Sequence, residues 1–286
     1  MSEYPVLEGY LMFDKDMVCH YTSTDKAISI LDSKRINFSP FVSCDDPRES
    51  KQWNFDFIGG EQRLCMDSFG EAPRAFDNMI KNKSMILCFC GWNDEDMNFN
   101  KNAIPIYRQD YYRVGWARSR MWSQYGGEHS GVCLVFDRKK LEEKFKTIFE
   151  TNKIFFGKVE YQYHLESFVI ARKLECRNML QYGVEKTFEM QIDKYFHDYF
   201  FLKLMDYRDE HEYRLVVIAN VGDSITLPIE SSLKGVIVGI DFPRENYELI
   251  DELAQRCSKL VERHFLSWQE GRPQLWNLWE VIKKST

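Results

Sequence analysis

The chain has 286 residues, 44% hydrophobic and 29% charged, which excludes a disordered or fibrous chain and leaves room for one large domain or two small ones. Its formal net charge is −6, from 38 Lys and Arg against 44 Asp and Glu, so it has no general attraction to phosphate backbones or anionic lipid. No apolar run approaches the ~20 residues of a bilayer span, and Met1-Ser2-Glu3-Tyr4-Pro5 opens no basic and apolar leader; the expectation is a cytoplasmic protein without membrane attachment.

Residues 17–22 read as a strand, and Ser23 or Thr24 caps a helix over about 24–34 with Ala27, Ile28 and Leu31 on its apolar face. Ile36-Asn37-Phe38 is a short strand, broken by Asp45-Asp46-Pro47. The pattern predicts a helix over 61–82, a buried strand from Met85 to Cys90, a polar loop from Asn93 to Asn102, and a short helix from Arg118 to Tyr125. Gly131 to Asp137 is a second buried strand, and Lys139 to Glu150 a helix. Residues 153–162 alternate as a strand, 164–204 are mostly helical, and Glu212 to Asn220 and Val236 to Ile240 are strands. Pro243 then opens an amphipathic helix over Arg244 to Arg263. Strands and helices mix without strict βαβ alternation. The expected class is therefore α+β, with a mixed, largely antiparallel sheet flanked by helices. No interdomain linker is visible, so residues 1–286 are read as a single compact domain.

No G-x-G-x-x-G, Walker A loop, G-x-S-x-G or H-E-x-x-H occurs. The eight cysteines form no C-x-x-C pair and read as reduced thiols. Cys88 and Cys90 share a strand face but lack two further ligands nearby, so no metal is expected.

Four segments place polar groups against apolar strands. His20-Tyr21-Thr22-Ser23 ends a strand. Phe41 to Glu49 is rich in Asp and carries Arg48. Met121-Trp122-Ser123-Gln124-Tyr125-Gly126 precedes His129-Ser130-Gly131 and a buried strand. Tyr207 to Leu215 runs five charged residues into an apolar strand, with Glu212 and Arg214 on one face. A carboxylate and a guanidinium entering a sheet are costly unless paired or functional, so both an internal Glu–Arg pair and a site are open. Arg108, Arg113, Arg118 and Arg120 interleave with Tyr107, Tyr111, Tyr112, Trp116 and Trp122. This reads either as contact with single-stranded nucleic acid or as a solvated basic helix face.

The ordered set of segments resembles a bacterial family known as domain of unknown function 2971, over residues 18–240, with 241–286 as a C-terminal helix and tail. The matching motifs are His20 to Ser23, Asp45-Asp46-Pro47 with Glu49 close behind, Met121 to Tyr125, Gly131 to Cys133, Glu210 to Val216 and Ile237-Val238-Gly239. Asp45 departs from the family's usual Asn. That family is in turn similar to ADP-ribosyltransferases. The resemblance implies their split sheet and an NAD-consuming transferase or glycohydrolase acting in bacterial stress or phage defence, with NAD as substrate and a protein or nucleic-acid acceptor.

By that resemblance Glu212 is the catalytic carboxylate, Glu210 orients or deprotonates the acceptor, and His20 holds the adenosine ribose. Tyr21 or Tyr125 stacks on nicotinamide, and Thr22 and Arg48 contact the pyrophosphate. Trp122, Ser123 and Tyr125 compete for the central motif position. The other class of function is a non-catalytic sensor or scaffold that binds a nucleotide or single-stranded nucleic acid in a degenerate pocket.

Overall fold

The apolar, β-rich runs 84–90 and 132–137 supply interior strands of the sheet. The structure is a computed structural model and describes residues 14–94, 111, 113–220, 222–269 and 271–278. In chain order the strands are β1 (Met17–Thr22), β2 (Arg35–Asn37), β3 (Ser39–Pro40), β4 (Asp56–Ile58), β5 (Ser84–Cys90), β6 (Val132–Asp137), β7 (Lys153–Lys158), β8 (Glu160–Gln162) and β9 (Lys173–Glu175). They continue with β10 (Leu202–Leu204), β11 (Glu212–Ile218), β12 (Thr226–Pro228), β13 (Leu233–Val238), β14 (Glu262–Gln269) and β15 (Arg272–Asn277). The main sheet runs β15-β14-β13-β6-β1-β5-β11-β7, with β3 beside β5. Every pair in it is antiparallel except β13 with β14. The expected α+β, largely antiparallel sheet is therefore present.

Register is set by apolar faces, because a slip of one residue would turn each strand inside out. On one face Val18, Leu87, Phe89, Leu134, Leu215 and Val236 pack beneath α1 (Thr24–Ser33) and the helices Arg138–Ile148 and Tyr247–Cys257. The other face carries two separate cores. One joins Ile86 and Val216 to α3 (Gln62–Phe69), α4 (Ala72–Lys83) and the helix Cys176–Phe200. The other joins Cys19, Cys133 and Ile237 to Trp116 and the helix Ser119–Gln124.

The sheet is split between these cores. β1 and β5 pair at one position, Cys19 opposite Cys90, whereas β1 pairs with β6 along all six residues. Continued pairing would bring Tyr21 opposite Cys88. Instead the His20 Nδ1 lies 3.0 Å from the Cys88 carbonyl.

Three expectations need correction. The helix over 61–82 is two helices, broken at Gly70 and restarted with a proline in the first turn of α4. The helix after Pro243 stops at Cys257, not Arg263, and residues 262–277 form the hairpin β14-β15 on the sheet edge. The segment 164–204 also holds two short strands, β9 and β10. Among the described residues no helix is long and apolar enough to cross a membrane.

Candidate functional site

The split opens a cleft of about 660 Å³, within the ~300–1,000 Å³ typical of ligand pockets. Its lining includes His20, Tyr21, Thr22, Tyr125, Glu210 and Glu212 from the expected set, with Cys44, Glu49, Cys88, Lys203 and Arg214. The register puts Glu212 on the face of Cys90 and Cys19, and His20 on the opposite face. They reach one hollow because the strands between them part.

β11 enters the sheet with its charges inward. Arg214 is fully buried, and its Nε and Nη2 donate to the Glu212 carboxylate at 2.7 and 2.8 Å. Its Nη1 and Nη2 donate to Glu49 at 2.7 and 3.1 Å, and Nη1 also donates to the Phe200 carbonyl at 2.7 Å. Glu49 is supplied by the short helix α2 (Pro47–Ser50), which Asp46 caps by accepting from the Arg48 N–H at 2.8 Å. Lys203, on β10, is buried and lies 2.8 Å from Glu210 Oε2 and 2.9 Å from Glu212 Oε2. The Tyr125 hydroxyl donates to Glu210 Oε1 at 2.9 Å. Charges thus alternate as Glu49, Arg214, Glu212, Lys203 and Glu210, the arrangement that offsets desolvation of buried ions.

Burial alone would raise the Glu212 pKa, but Arg214 and Lys203 hold it well below the usual carboxylate range. Burial would lower that of Lys203, and Glu212, Glu49 and Glu210 outweigh it to push the ammonium upward. Burial and then Glu210 raise the Tyr125 phenol, so it stays protonated as a donor. Burial and then Glu212 raise the Cys88 thiol pKa. Burial lowers the His20 pKa against the opposing bond to Cys88. A carbonyl can only accept, so the neutral imidazole carries its proton on Nδ1 and leaves Nε2 as an acceptor.

Between the two glutamates His211 adopts a left-handed backbone, φ 41°, a conformation that His tolerates better than most residues. Its carbonyl accepts from the Gly91 N–H at 2.8 Å, which fixes the turn into β11. Burial and then Arg118 push its imidazole down to about 4.

Other expected site residues are placed elsewhere. Trp122 is fully buried, donates its Nε1–H to the Trp116 carbonyl at 2.8 Å and is absent from the cleft lining. Ser123 is exposed outside the cleft. Of Trp122, Ser123 and Tyr125, Tyr125 is therefore the one that reaches the hollow, beside Met121 and Gln124 of the same motif. Tyr21 forms wall rather than stacking platform, since its hydroxyl donates to the Gly115 carbonyl and its ring packs edge-on against Trp122. Arg48 caps the end of the helix Cys176–Phe200 by donating to the carbonyls of Asp198, Tyr199 and Leu202, and lies outside the lining.

The Arg-aromatic stretch also changes meaning. Trp116 and Trp122 are core residues with no ring face for a base. Arg118 donates to the Asp209 carbonyl at 3.5 Å and Arg120 pairs with its carboxylate at 3.5 Å. Arg108, Tyr107 and Tyr112 lie outside the described residues. Among the described residues no group of three or more His, Cys, Asp or Glu could hold a metal ion.

Sequence reasoning missed Lys203 and the pairing role of Glu49. The available signal for the first was a lone Lys between Leu202 and Leu204, just before the charged run.

A segment carrying Tyr125, Lys203, Glu210, Glu212 and Arg214 lies between the ends of the helix Ser119–Gln124 and strand β11. Residues 121–215 match the family model of a protein of unknown function, DUF2971. Over that stretch the chain is similar to the DUF2971 family. His20 and Glu49 enter the same site from outside the DUF2971 segment. No curated protein and no solved structure matches the chain.

The glycines of this region have a packing reason. A Cβ at Gly131 would stand 2.2 Å from the Thr22 carbonyl oxygen, and one at Gly239 would stand 2.0 Å from that of His129. The backbone at Gly131 passes so close to the end of β1, and that at Gly239 so close to His129, that only hydrogen fits.

Proposed function

We propose that the cleft binds NAD as substrate and that the protein is an ADP-ribosyltransferase-like enzyme cleaving the nicotinamide–ribose bond. The observation that carries this reading is the convergence of His20, Tyr125, Glu210 and Glu212, from four elements, on one hollow at a split in the sheet. In the reaction the bond from ribose C1′ to the pyridinium nitrogen breaks and its electron pair leaves with nicotinamide. An acceptor nucleophile, or water, bonds to C1′ and releases a proton. Positive charge develops on the ribose, as in glycoside hydrolysis.

Fixed anionic groups in a site shielded from water stabilise such charge without reorganisation. Glu212, held ionised by Arg214 and Lys203, has that character. His20 Nε2 suits a ribose hydroxyl as an acceptor. Glu210 is the second carboxylate, placed to take the acceptor's proton.

The test is release of nicotinamide from NAD, with and without cell extract. Glu212→Gln is expected to lower turnover by ~10²–10³. Full turnover by a folded Glu212→Gln variant would remove Glu212 from the mechanism.

One observation favours a second reading, a nucleotide-binding sensor without turnover. Both Glu212 oxygens already accept from Arg214, and the Lys203 ammonium lies 2.9 Å from Oε2, so less of the carboxylate remains for a substrate hydroxyl. ADP-ribose binding by calorimetry without any nicotinamide release would decide for it.

A further inference from the structure

The two carboxylates beside the cleft differ in what they have left to offer. A carboxylate has about four acceptor positions. Glu212 takes Arg214 Nε on Oε1 and Arg214 Nη2 on Oε2, where the Lys203 ammonium also lies at 2.9 Å. Glu210 spends one on the Tyr125 hydroxyl and one on Lys203 Nζ. It thus keeps an acceptor position on each oxygen, although its side chain is only 3% exposed. Lys203 is the single cation on Glu210 among the described residues, and it is shared with Glu212. Its remaining face lies 4.9 Å above the Tyr207 ring, which leaves the ammonium little room to turn away.

We infer that Lys203 is a positioning residue: by sharing one ammonium between Glu210 and Glu212 it keeps both carboxylates charged side by side and holds Glu210 with an open acceptor position toward the cleft. Two carboxylates on one nitrogen are close enough to repel. Without a cation between them such a pair shares a proton, as carboxylate dyads do. A shared proton would block Glu210 as a proton acceptor and cancel part of the charge beside the reacting ribose. Arg214 cannot substitute, because its four side-chain bonds to carboxylates run to Glu212 and Glu49. The rate consequence rests on the glycosidic-cleavage reading; the protonation consequence does not.

The experiment therefore has two arms. In the first, infrared difference spectra at neutral pH compare wild type with Lys203→Met and with Lys203→Gln, which keeps a hydrogen-bond donor but not the charge. Both variants are expected to gain a carboxylic-acid C=O band that disappears when Glu210→Gln is added. In the second, nicotinamide release is followed against pH. Lys203→Met is expected to lower kcat by ~10²–10³ and move the acid limb of the profile up by more than one pH unit, with KM little changed. Lys203→Arg restores the charge and is expected to recover most of the loss.

A folded Lys203→Met or Lys203→Gln protein without the new band would overturn the inference. So would a band that persists with Glu210→Gln. If wild type releases no nicotinamide, the enzymatic reading fails, and the infrared arm still decides the role of Lys203.

Discussion

Arg214→Met is the sharpest probe of how this site is held together. The guanidinium is fully buried and donates to Glu212 twice, to Glu49 twice and to the Phe200 carbonyl. Methionine fills similar volume but removes the charge. Glu212 then keeps Lys203 at 2.9 Å, but fully buried Glu49 keeps only Arg48, at 3.4 Å, as a cation among the described residues. Stranding a buried ion in this way costs ~3–5 kcal/mol. At roughly 2 °C per kcal/mol for a chain of this size, Tm should fall by about 6–10 °C. Arg214→Lys should recover little, because an ammonium cannot serve two carboxylates in forked geometry. Glu49→Gln added to Arg214→Met should regain part of the loss, since it removes the stranded charge itself. Scanning calorimetry at pH 7 measures all four proteins. A Tm for Arg214→Met within 2 °C of wild type, or a double variant less stable than the single one, would refute the reasoning.

Other outcomes follow from the same geometry. Gly131→Ala and Gly239→Ala should be recovered mainly insoluble or with strongly lowered Tm, because each Cβ meets a backbone carbonyl at close range; Gly60→Ala, with nothing within 4 Å, is the neutral control. His20 and His211 have lowered pKa values in the fold, so the native state binds fewer protons than the unfolded chain. Their contribution is intact above the ordinary histidine value of ~6.5 and is lost as pH falls from there toward the folded values, about 4 for His211. Melting curves from pH 7 to pH 4 should show this decline, and His211→Asn, which tolerates the left-handed backbone, should flatten it. Arg48→Gln should lower Tm through the lost cap on the helix Cys176–Phe200 while leaving ligand affinity at the cleft within about threefold, measured by calorimetry.

Much of the fold could be read because its strands are short apolar runs with clear ends. β1, β5, β6 and β11 fall within a residue or two of their expected spans. The hairpin β14-β15 was hidden because Ile250, Leu253, Ala254 and Cys257 set a helical rhythm that Leu260 and Val261 continue. The extended backbone at Ser258 ends it, and the alternation His264, Leu266 was the signal for a strand. At the site, the sequence exposed Glu212 and Arg214 because two charges in an apolar strand demand an explanation. It could not show that Arg214 also reaches Glu49, 165 residues away, since nothing local marks Glu49 as buried. Trp122 misled for a related reason: a tryptophan beside glycines suits a pocket wall or a core equally well, and only the Trp116 carbonyl decides between them.

The single ladder pair between β1 and β5 has one more consequence. A molecule seated there would bridge two parts of the sheet whose facing strands are in ladder register at one position, adding cross-links where the backbone supplies fewest. A ligand that binds only the folded chain raises stability by about 2.7 kcal/mol at a concentration one hundred times its Kd. A melting screen of nucleotides and their fragments would therefore rank candidate occupants by the temperature each adds, before any reaction has been observed.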